Sequence, residues 1–311
     1  MRLIDTGPGL MCAVRIPSSS GPRYMVYDAG HYADRGAGGY AKLQEVVPLG
    51  STIDWLVLSH SDADHLGAVN EIMEGYTVKR VVRPTIKRDT GTWREADEAI
   101  NASISAGETI QFVAGAREVR PGAKYRTGDA TITFVCGFNE PPESWDLARN
   151  SSEWLNAGSI LVRLVYAGRS ILLTGDAVGR HIGDPLSSCI ATERFAVDQA
   201  RRVPIRSYVL VAPHHGADNG SSKPFIQEVK PSYVLFSAGH RFGHPRLTTA
   251  LRYLGNGVEG RRMFRTDRGD DEGEQEWGIG RTPGTNDRAG DDDIDVTISE
   301  TSQVSVTYRE L

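Results

Sequence analysis

The most restrictive feature of the chain is an apolar run that ends in a crowd of ligand-type side chains. The run "IDWLVLSH" (53–60) is continuous and of strand length, consistent with a strand covered on both faces. It leads into "SDADH", so that His60, Asp62, Asp64 and His65 fall within six consecutive positions. Beyond them "HLGAVNEIMEG" carries Leu66, Val69, Ile72 and Met73 at helical spacing and stops at Gly75, a helix C-terminal signal. The cluster therefore occupies a turn between a buried strand and a helix. Helix capping accounts for one or two acidic residues there, but for neither histidine. Imidazoles and carboxylates gathered in one turn suit zinc, manganese or iron.

The rest of the chain is organised in the same way. "MCAVRIP" (11–17) and "RYMVYDAG" (23–30) read as hairpin strands joined by "SSSGP". "VKRVVRP" (78–84) reads as a strand closed by its proline, and "TWREADEAINASISAG" (92–107) as a helix opened by Thr92 and Glu95 at capping-box spacing. Strands follow at "ATITFVC" (130–136), "SILVRLVY" (159–166) and "SILLTGD" (170–176), the last two joined by the tight "AGR" turn. "SYVLVAP" (207–213) and "SYVLFSAG" (232–239) are further strands, and "RLTTALRYL" (246–254) a helix. Strands predominate with helices between some of them, which predicts an α/β or α+β class with two layered sheets. Residues 255–293, rich in Gly, Asp, Glu and Arg, read as a flexible loop region, and 294–311 as closing strands. With no internal repeat and no linker, one domain over residues 1–311 is expected.

The histidines sharpen the reading. They stand at His31, His60, His65, His181, His214, His215, His240 and His244, most of them in "DAGH", "SHSDADH", "APHHG" and "GHRFGHP" at strand ends. Histidines placed for packing do not keep arriving at strand ends, whereas ligands gathered onto one edge of a sheet do. Asp176 ends another apolar strand, in "LLTGDA", and offers a carboxylate able to bridge two metals.

Composition narrows the partners. A net charge of −5 and a pI of about 5.9 supply no global positive field for nucleic acid or an anionic membrane. No run approaches the roughly 18 apolar residues of a membrane-spanning helix, and "MRLIDTGPGLMCAV" lacks the order of a secretory signal. A soluble, cytoplasmic chain with no membrane partner is expected. Cys12, Cys136 and Cys189 are odd in number and far apart, and read as small buried hydrophobes.

Taken together, "IDTGPGLMCAVRIP…YMVYDAG", "LVLSHSDADHLGA", "LNAGSILVRLVYAGRSILLTGDA", "VLVAPHHGADNGSS" and "SAGHRFGHPRL" resemble the metallo-β-lactamase fold superfamily. The likeness is strongest to the branch that holds the hydrolase domain of ComEC-type DNA-uptake proteins, and it runs in the family's order from residue 4 to about residue 254. It implies a four-layer αββα sandwich with a metal centre at the sheet edge. It further implies two divalent ions, zinc or manganese, with His60 and Asp62 on one, Asp64 and His65 on the other, and Asp176 bridging them. His214 would complete the second position, with His244 competing for that role. Asp28 would stand behind the centre and orient a ligand histidine, with Asn156 and Ser159 also behind the ligands. Two departures are visible. Many relatives carry another first-metal histidine where this chain reads "WLNAGS", and the usual Gln of "DVGQG" is Pro8 in "DTGPG".

The chemistry expected from such a centre is hydrolysis, because two divalent ions lower the pKa of a shared water and polarise the oxygen under attack. Asp64 is then the group that orients that water or accepts its proton, with His215, His244, Ser221 and Ser222 as substrate contacts. The resemblance favours a phosphodiesterase or nuclease over a lactonase or thioesterase, or over a metal-stabilised regulatory module without turnover. Nucleic acid is a possible partner through Lys79, Arg80, Arg83, Lys87 and Arg88, or through Arg201, Arg202 and Arg206. In the segment 179–204, His181 and Glu193 are candidates to reach the metal edge, unless a helix there simply covers the sheet. The sequence leaves the oligomeric state undetermined.

Overall fold

A computed structural model describes residues 1–30, 38–239, 242–268, 277 and 292–309 of the chain. Among the histidines, His31 and His240 lie outside the described residues, as does most of the segment 269–291. In chain order the elements are β1 (Arg2–Thr6), β2 (Gly9–Ile16), β3 (Arg23–Tyr27), α1 (Gly39–Val46), β4 (Thr52–Val57), α2 (Val69–Gly75), β5 (Thr77–Val78), β6 (Arg80–Arg83), α3 (Gly91–Ser105) and β7 (Ile110–Val113). They continue with β8 (Lys124–Thr127), β9 (Ala130–Cys136), α4 (Ser152–Ala157), β10 (Leu161–Tyr166), β11 (Arg169–Leu173), α5 (Ala191–Gln199), β12 (Val209–Val211), α6 (Lys223–Val229), β13 (Tyr233–Phe236), α7 (Leu247–Leu254), β14 (Met263–Arg265), β15 (Ile294–Ile298) and β16 (Val304–Tyr308).

The strands form two sheets, ordered β16-β15-β1-β2-β3-β4-β6-β7, with β5 beside β4, and β14-β13-β12-β11-β10-β9-β8. Each sheet has an antiparallel part and a parallel part. In the first, β3, β4, β6 and β7 are parallel; in the second, β11, β12, β13 and β14 are. In each parallel part the carboxyl ends lie along one edge, where open α/β sheets place their ligands.

Apolar residues of both sheets meet in one core, among them Met25, Trp55, Val57, Phe134, Leu173, Val211 and Leu235. On the outer face of the first sheet, Leu43, Ile72, Trp93 and Ile100 from α1, α2 and α3 cover Val26 and Leu56. On that of the second, Ala196, Phe225, Ile226 and Tyr253 from α5, α6 and α7 cover Leu210 and Phe236. The result is the four-layer αββα sandwich. Both faces of β4 are covered, which is why its sequence is a continuous apolar run instead of an alternation.

Local differences from the sequence reading have physical reasons. Helix α3 is capped by Thr90, whose Oγ accepts the Trp93 amide at 3.1 Å, so Thr92 lies inside the helix and forms no capping box with Glu95. "VKRVVRP" divides into β5 and β6, which pair with different parts of β4. The "AGR" turn is a two-residue hairpin loop with positive φ at Ala167 and Gly168, 47° and 73°. Within 255–293 the loop reading misses β14, which pairs in parallel with β13, and Trp277, which is buried. Its charged composition concealed a buried pair, Arg265 Nε donating to Asp267 Oδ1 at 2.6 Å, that lets a charged strand enter the core. The hairpin of β15 and β16 extends the first sheet, β15 pairing with β1. No helix among the described residues is long and apolar enough to cross a membrane.

Candidate metal centre

The centre begins at the ends of β3 and β4. Asp28, in the left-handed region at φ 57°, turns its fully buried carboxylate under the β4 terminus. Its Oδ1 accepts the Ser59 amide at 2.6 Å and its Oδ2 the Ser59 hydroxyl at 2.8 Å. Oδ2 also accepts from His65 Nδ1 at 2.8 Å. Ser59 has given its one proton to Asp28, so its Oγ accepts from His60 Nδ1 at 2.9 Å. One buried carboxylate thereby sets the tautomers of both motif histidines, His65 directly and His60 through Ser59. In each case Nε2 is turned towards the sheet edge.

The second sheet supplies the other half. The Asp176 amide donates to Ser159 Oγ at 3.0 Å, which holds the turn after β11. After β12, His214, His215 and Gly216 take positive φ in succession, 50°, 56° and 86°, a run of left-handed backbone that swings both imidazoles inward. A Cβ on Gly216 would meet Pro245 Cβ at 2.6 Å, so glycine is required on packing as well as backbone grounds. His215 Nδ1 donates to the Ser237 carbonyl at 2.6 Å, and His214 Nδ1 to Asn219 Oδ1 at 2.7 Å.

These groups converge on Asp176, whose two oxygens face different neighbours. Oδ1 lies 3.2 Å from His65 Nε2 and 3.4 Å from His215 Nε2. Oδ2 lies 3.7 Å from His60 Nε2 and 3.5 Å from His214 Nε2. Asp64 flanks the first pair, 4.0 Å from His65 Nε2 and 3.7 Å from His215 Nε2. Among the described residues, His60, His65 and Asp176 form one compact group of ligand atoms, and Asp64, His65 and His215 another. Asp62 belongs to neither. Its Oδ1 and Oδ2 accept from Arg88 Nε at 2.6 Å and Nη2 at 3.2 Å, and Oδ2 is 4.0 Å from His60 Nε2.

The electrostatics suit a cation. Burial pushes His60 and His215 below the ordinary imidazole range, so both are neutral with an Nε2 lone pair. Burial also opposes charge on His65, but the carboxylates of Asp176, Asp28 and Asp64 outweigh it and raise its pKa well above the ordinary value. Burial raises Asp176, and the surrounding imidazoles, His65 first, reverse this and hold it ionised. Without a metal, the proton on His65 neutralises the place where these acids and imidazoles meet. His60 Nε2 is buried with no hydrogen-bond partner, and Asp176 Oδ1 makes no well-aligned hydrogen bond. Neutral Nε2 atoms and a bridging carboxylate are the donor set of a divalent metal site, and the residues present fit such ions.

The other candidates fall on both sides of this boundary. Asn156 lies at the centre, its Nδ2 3.3 Å from His214 Nε2. His244 packs edge-on against His214, ring centroids 5.9 Å apart, outside both ligand groups, and burial pushes it down to about 3. Ser221 and Ser222 do not face the centre. Both are fully buried, Ser221 Oγ bonding Tyr253 Oη at 2.8 Å and Ser222 Oγ donating to Cys189 Sγ at 3.2 Å. Glu193 does not reach it either, since its carboxylate accepts the amides of Ser221 and Ser222 at 2.5 and 2.7 Å. His181 is turned to Glu153 at 3.0 Å. Much of the basic stretch is internally neutralised, Arg83 by Asp97 at 2.6 Å and Lys79 by Asp54 at 3.1 Å. Cys12 and Cys136 are buried free thiols, and Cys189 is half-buried. Sequence reasoning missed Ser59, Asn219, the Ser237 carbonyl and the link from Arg88 to Asp62.

The family described as "Metallo-beta-lactamase superfamily" matches residues 20–240. Among curated proteins, the chain is 26% identical over 287 residues to "Competence protein ComA" of Neisseria gonorrhoeae, covering 89% of this chain and 32% of that one. It is 25% identical over 197 residues to "ComE operon protein 3" of Bacillus subtilis (strain 168), covering 62% and 21%. The chain thus spans about a third and a fifth of these relatives. Among solved structures, the metallo-beta-lactamase fold protein YhfI from Bacillus subtilis superposes with a TM-score of 0.47 at 12% identity, covering 85% of this chain and 94% of that one. CmlA, a diiron beta-hydroxylase from Streptomyces venezuelae, gives 0.47 at 13% identity, covering 85% and 52%.

Proposed function

The chain belongs to the metallo-β-lactamase superfamily, and from this we propose that it is a metal-dependent hydrolase of phosphodiesters, with nucleic acid as the leading substrate. The observation that carries the reading is the division of Asp176, one oxygen facing His65 and His215 and the other facing His60 and His214. That division supports a reading with two metal positions. Asp64, His65, His215 and Asp176 would hold one ion, and His60, His214 and Asp176 the other. In this reading His214 would join the first metal, where Asn156 stands in the place of the expected histidine, and His215 would complete the second.

Divalent zinc or manganese bound there supplies an activated water and polarises the oxygen under attack. The chain's own residues do the rest. Asp64 is more open than Asp176, 19% exposed against 4%. Burial raises its pKa, but His65 and His215 reverse this, so it is ionised and able to orient a water or take its proton. Asp28 and Ser59 keep the imidazoles from turning, and the Ser237 carbonyl does the same for His215.

Two cations a few ångströms apart suit the entering and leaving oxygens of phosphoryl transfer. The resemblance of the motifs to the hydrolase domain of ComEC-type DNA-uptake proteins supports the same substrate class. A cytoplasmic location belongs to this reading. The test is turnover of bis-p-nitrophenyl phosphate, single-stranded DNA and a lactone panel in manganese and in zinc, with Asp64→Asn as the control. Diester hydrolysis lost in Asp64→Asn is expected, and turnover of lactones alone would replace the phosphodiesterase reading with an acyl hydrolase.

A further inference from the structure

The amino ends of β11, β12 and β13 lie at the edge of the second sheet opposite the metal centre, and they carry a group of cations that the centre does not use. On β10, Val162 and Leu164 face the core between the sheets, whereas Leu161 joins the outer core beneath the helices. Arg163 therefore falls on the outer face. So does Ser170 of β11, because Ile171 belongs to the inner core and Leu172 to the outer one. A cavity of about 320 Å³ opens there, lined by Arg163, Arg169, Arg206 and Lys230 and by no acidic residue. None of the four forms an ion pair among the described residues. Elsewhere in the chain Arg2, Arg83, Arg194 and Arg265 are all paired with carboxylates.

Arg163 is fixed from one side. Its Nε donates to the Arg206 carbonyl at 3.1 Å and to Ser207 Oγ at 3.3 Å, and its Nη2 to the same carbonyl at 2.9 Å and to Ser170 Oγ at 3.0 Å. Nη1 makes no hydrogen bond among the described residues. Burial alone pushes the guanidinium below its ordinary pKa, with no carboxylate to offset it. Arg169 lies over the Tyr208 ring at 4.6 Å and donates Nε to the Ser302 carbonyl at 2.8 Å, which leaves both Nη groups without a hydrogen bond among the described residues. The side chains of Arg206 and Lys230 are exposed and bond nothing among the described residues. Holding the loop after α5 accounts for the bonds of Arg163 to the Arg206 carbonyl. It does not account for three more cations around one cavity in a chain of net charge −5, where they repel one another unless an anion stands between them.

We propose that this cavity binds a phosphate group, at a site separate from the metal centre. Ser170 stands near the start of β11 and Asp176 just past its end, roughly 15 Å apart by the rise of an extended strand. Guanidinium and ammonium groups meet phosphate oxygens through charge-assisted hydrogen bonds, and Arg163, held in plane by its other donors, presents Nη1 without further ordering. Of the basic group Arg201, Arg202 and Arg206 in the sequence, Arg206 is the member that lines the cavity. The phosphate belongs to a nucleic-acid strand or is a small free phosphate, and the same donors serve both. The site does not depend on the metals.

Binding is measured on the full chain in EDTA, so that no bound metal takes up phosphate or cuts a strand. Inorganic phosphate is titrated calorimetrically and a labelled oligothymidylate by fluorescence anisotropy. The variants are Arg206→Gln/Lys230→Gln, which alters only side chains that bond nothing, and Arg163→Gln, with Arg163→Lys in reserve if thermal unfolding shows Arg163→Gln to be misfolded. Arg94→Gln/Arg126→Gln removes the same charge elsewhere, at exposed residues paired with Asp89 and Asp129. Wild type is expected to bind, Arg206→Gln/Lys230→Gln and Arg163→Gln to bind about tenfold more weakly or worse, and Arg94→Gln/Arg126→Gln to stay within about twofold of wild type. A strand held more tightly than inorganic phosphate would uphold the site as one for nucleic acid, and equal affinities would uphold it as one for a small phosphate. Wild type that binds neither ligand, or equal losses in the two double variants, would overturn the inference.

Discussion

His65 and His215 meet with their Nε2 atoms 3.2 Å apart, although the nearest residues of the two chain segments that carry them belong to different sheets. Each ring is tied at its other nitrogen, His65 to Asp28 at 2.8 Å and His215 to the Ser237 carbonyl at 2.6 Å. Two imidazoles fixed in this way, lone pair towards lone pair, are stable only with a proton or a cation between them. Deleting His215 is therefore expected to weaken the ion that Asp64, His65, His215 and Asp176 would hold, the tighter of the two because four groups face it, by about a hundredfold or more. His214→Ala is expected to affect the other ion and leave the tighter one within about threefold. Competition for manganese against a chromophoric chelator measures both. Loss of the tighter ion in His214→Ala instead would reverse the assignment of the two histidines.

Asp28 is the hub behind the ligands. Because φ at this position is 57°, Asn is the substitution that keeps the backbone comfortable while removing the charge. Its NH2 would take the place of one accepting oxygen and set hydrogens against a group of Ser59 or His65 that now donates. Asp28→Asn is expected to lower stability by about 3 kcal/mol and metal affinity by about ten- to a hundredfold, read by urea unfolding and by the same chelator competition. Unchanged metal affinity in the folded variant would contradict the role of Asp28 in fixing the imidazoles.

Glu193 gives the chain a pH dependence away from the centre. Burial pushes its carboxyl from 4.5 up to about 7, against the pull of the Ser222 and Ser221 groups that bond it. A carboxyl whose folded pKa lies above its unfolded value holds its proton more tightly in the native state. Its contribution to stability is complete below 4.5 and is lost as pH rises through about 7. Glu193→Gln, which cannot ionise, is expected to flatten the decline of the melting temperature across this window. Parallel pH profiles for the two proteins would count against burial as the cause.

The turn between β1 and β2 packs so closely on the segment after β13 that only glycine fits. A Cβ on Gly239 would stand 2.4 Å from Gly7 C and Pro8 N, both backbone atoms. Gly239→Ala is expected to cost about 1–3 kcal/mol, measured by urea unfolding. A variant as stable as wild type would mean that the "DTGPG" turn moves freely.

Much of this architecture was legible in the sequence because strands covered on both faces leave continuous apolar runs. "ATITFVC" coincides with β9, and the ligand-bearing turns follow β4, β11 and β12 as their sequence implied. The position of Asp176 could be anticipated because it ends such a run, whereas those of Asp28 and Ser159 were implied by the family resemblance. Less legible were contacts fixed by three-dimensional register. Nothing in "APHHG" says which of two adjacent histidines faces which oxygen of Asp176; that depends on three successive positive φ values. The fork between Asp62 and Arg88 joins residues 26 positions apart through a loop with no periodic pattern. Ser221 and Ser222 looked like polar residues beside a metal turn, but their amides and hydroxyls are consumed by Glu193, Tyr253 and Cys189. β14 was hidden by charges that neutralise one another inside the core.

The most direct measurement is a metal titration of chelator-stripped protein that follows bis-p-nitrophenyl phosphate hydrolysis and bound manganese or zinc in the same samples. If Asp176 bridges two positions of one hydrolytic centre, stripped protein is inactive and turnover returns as about two ions per chain are taken up. Asp176→Ala should then neither hold the pair nor recover activity. Hydrolysis that persists undiminished in the stripped protein, or full binding by Asp176→Ala, would contradict a bridged metal centre at this sheet edge.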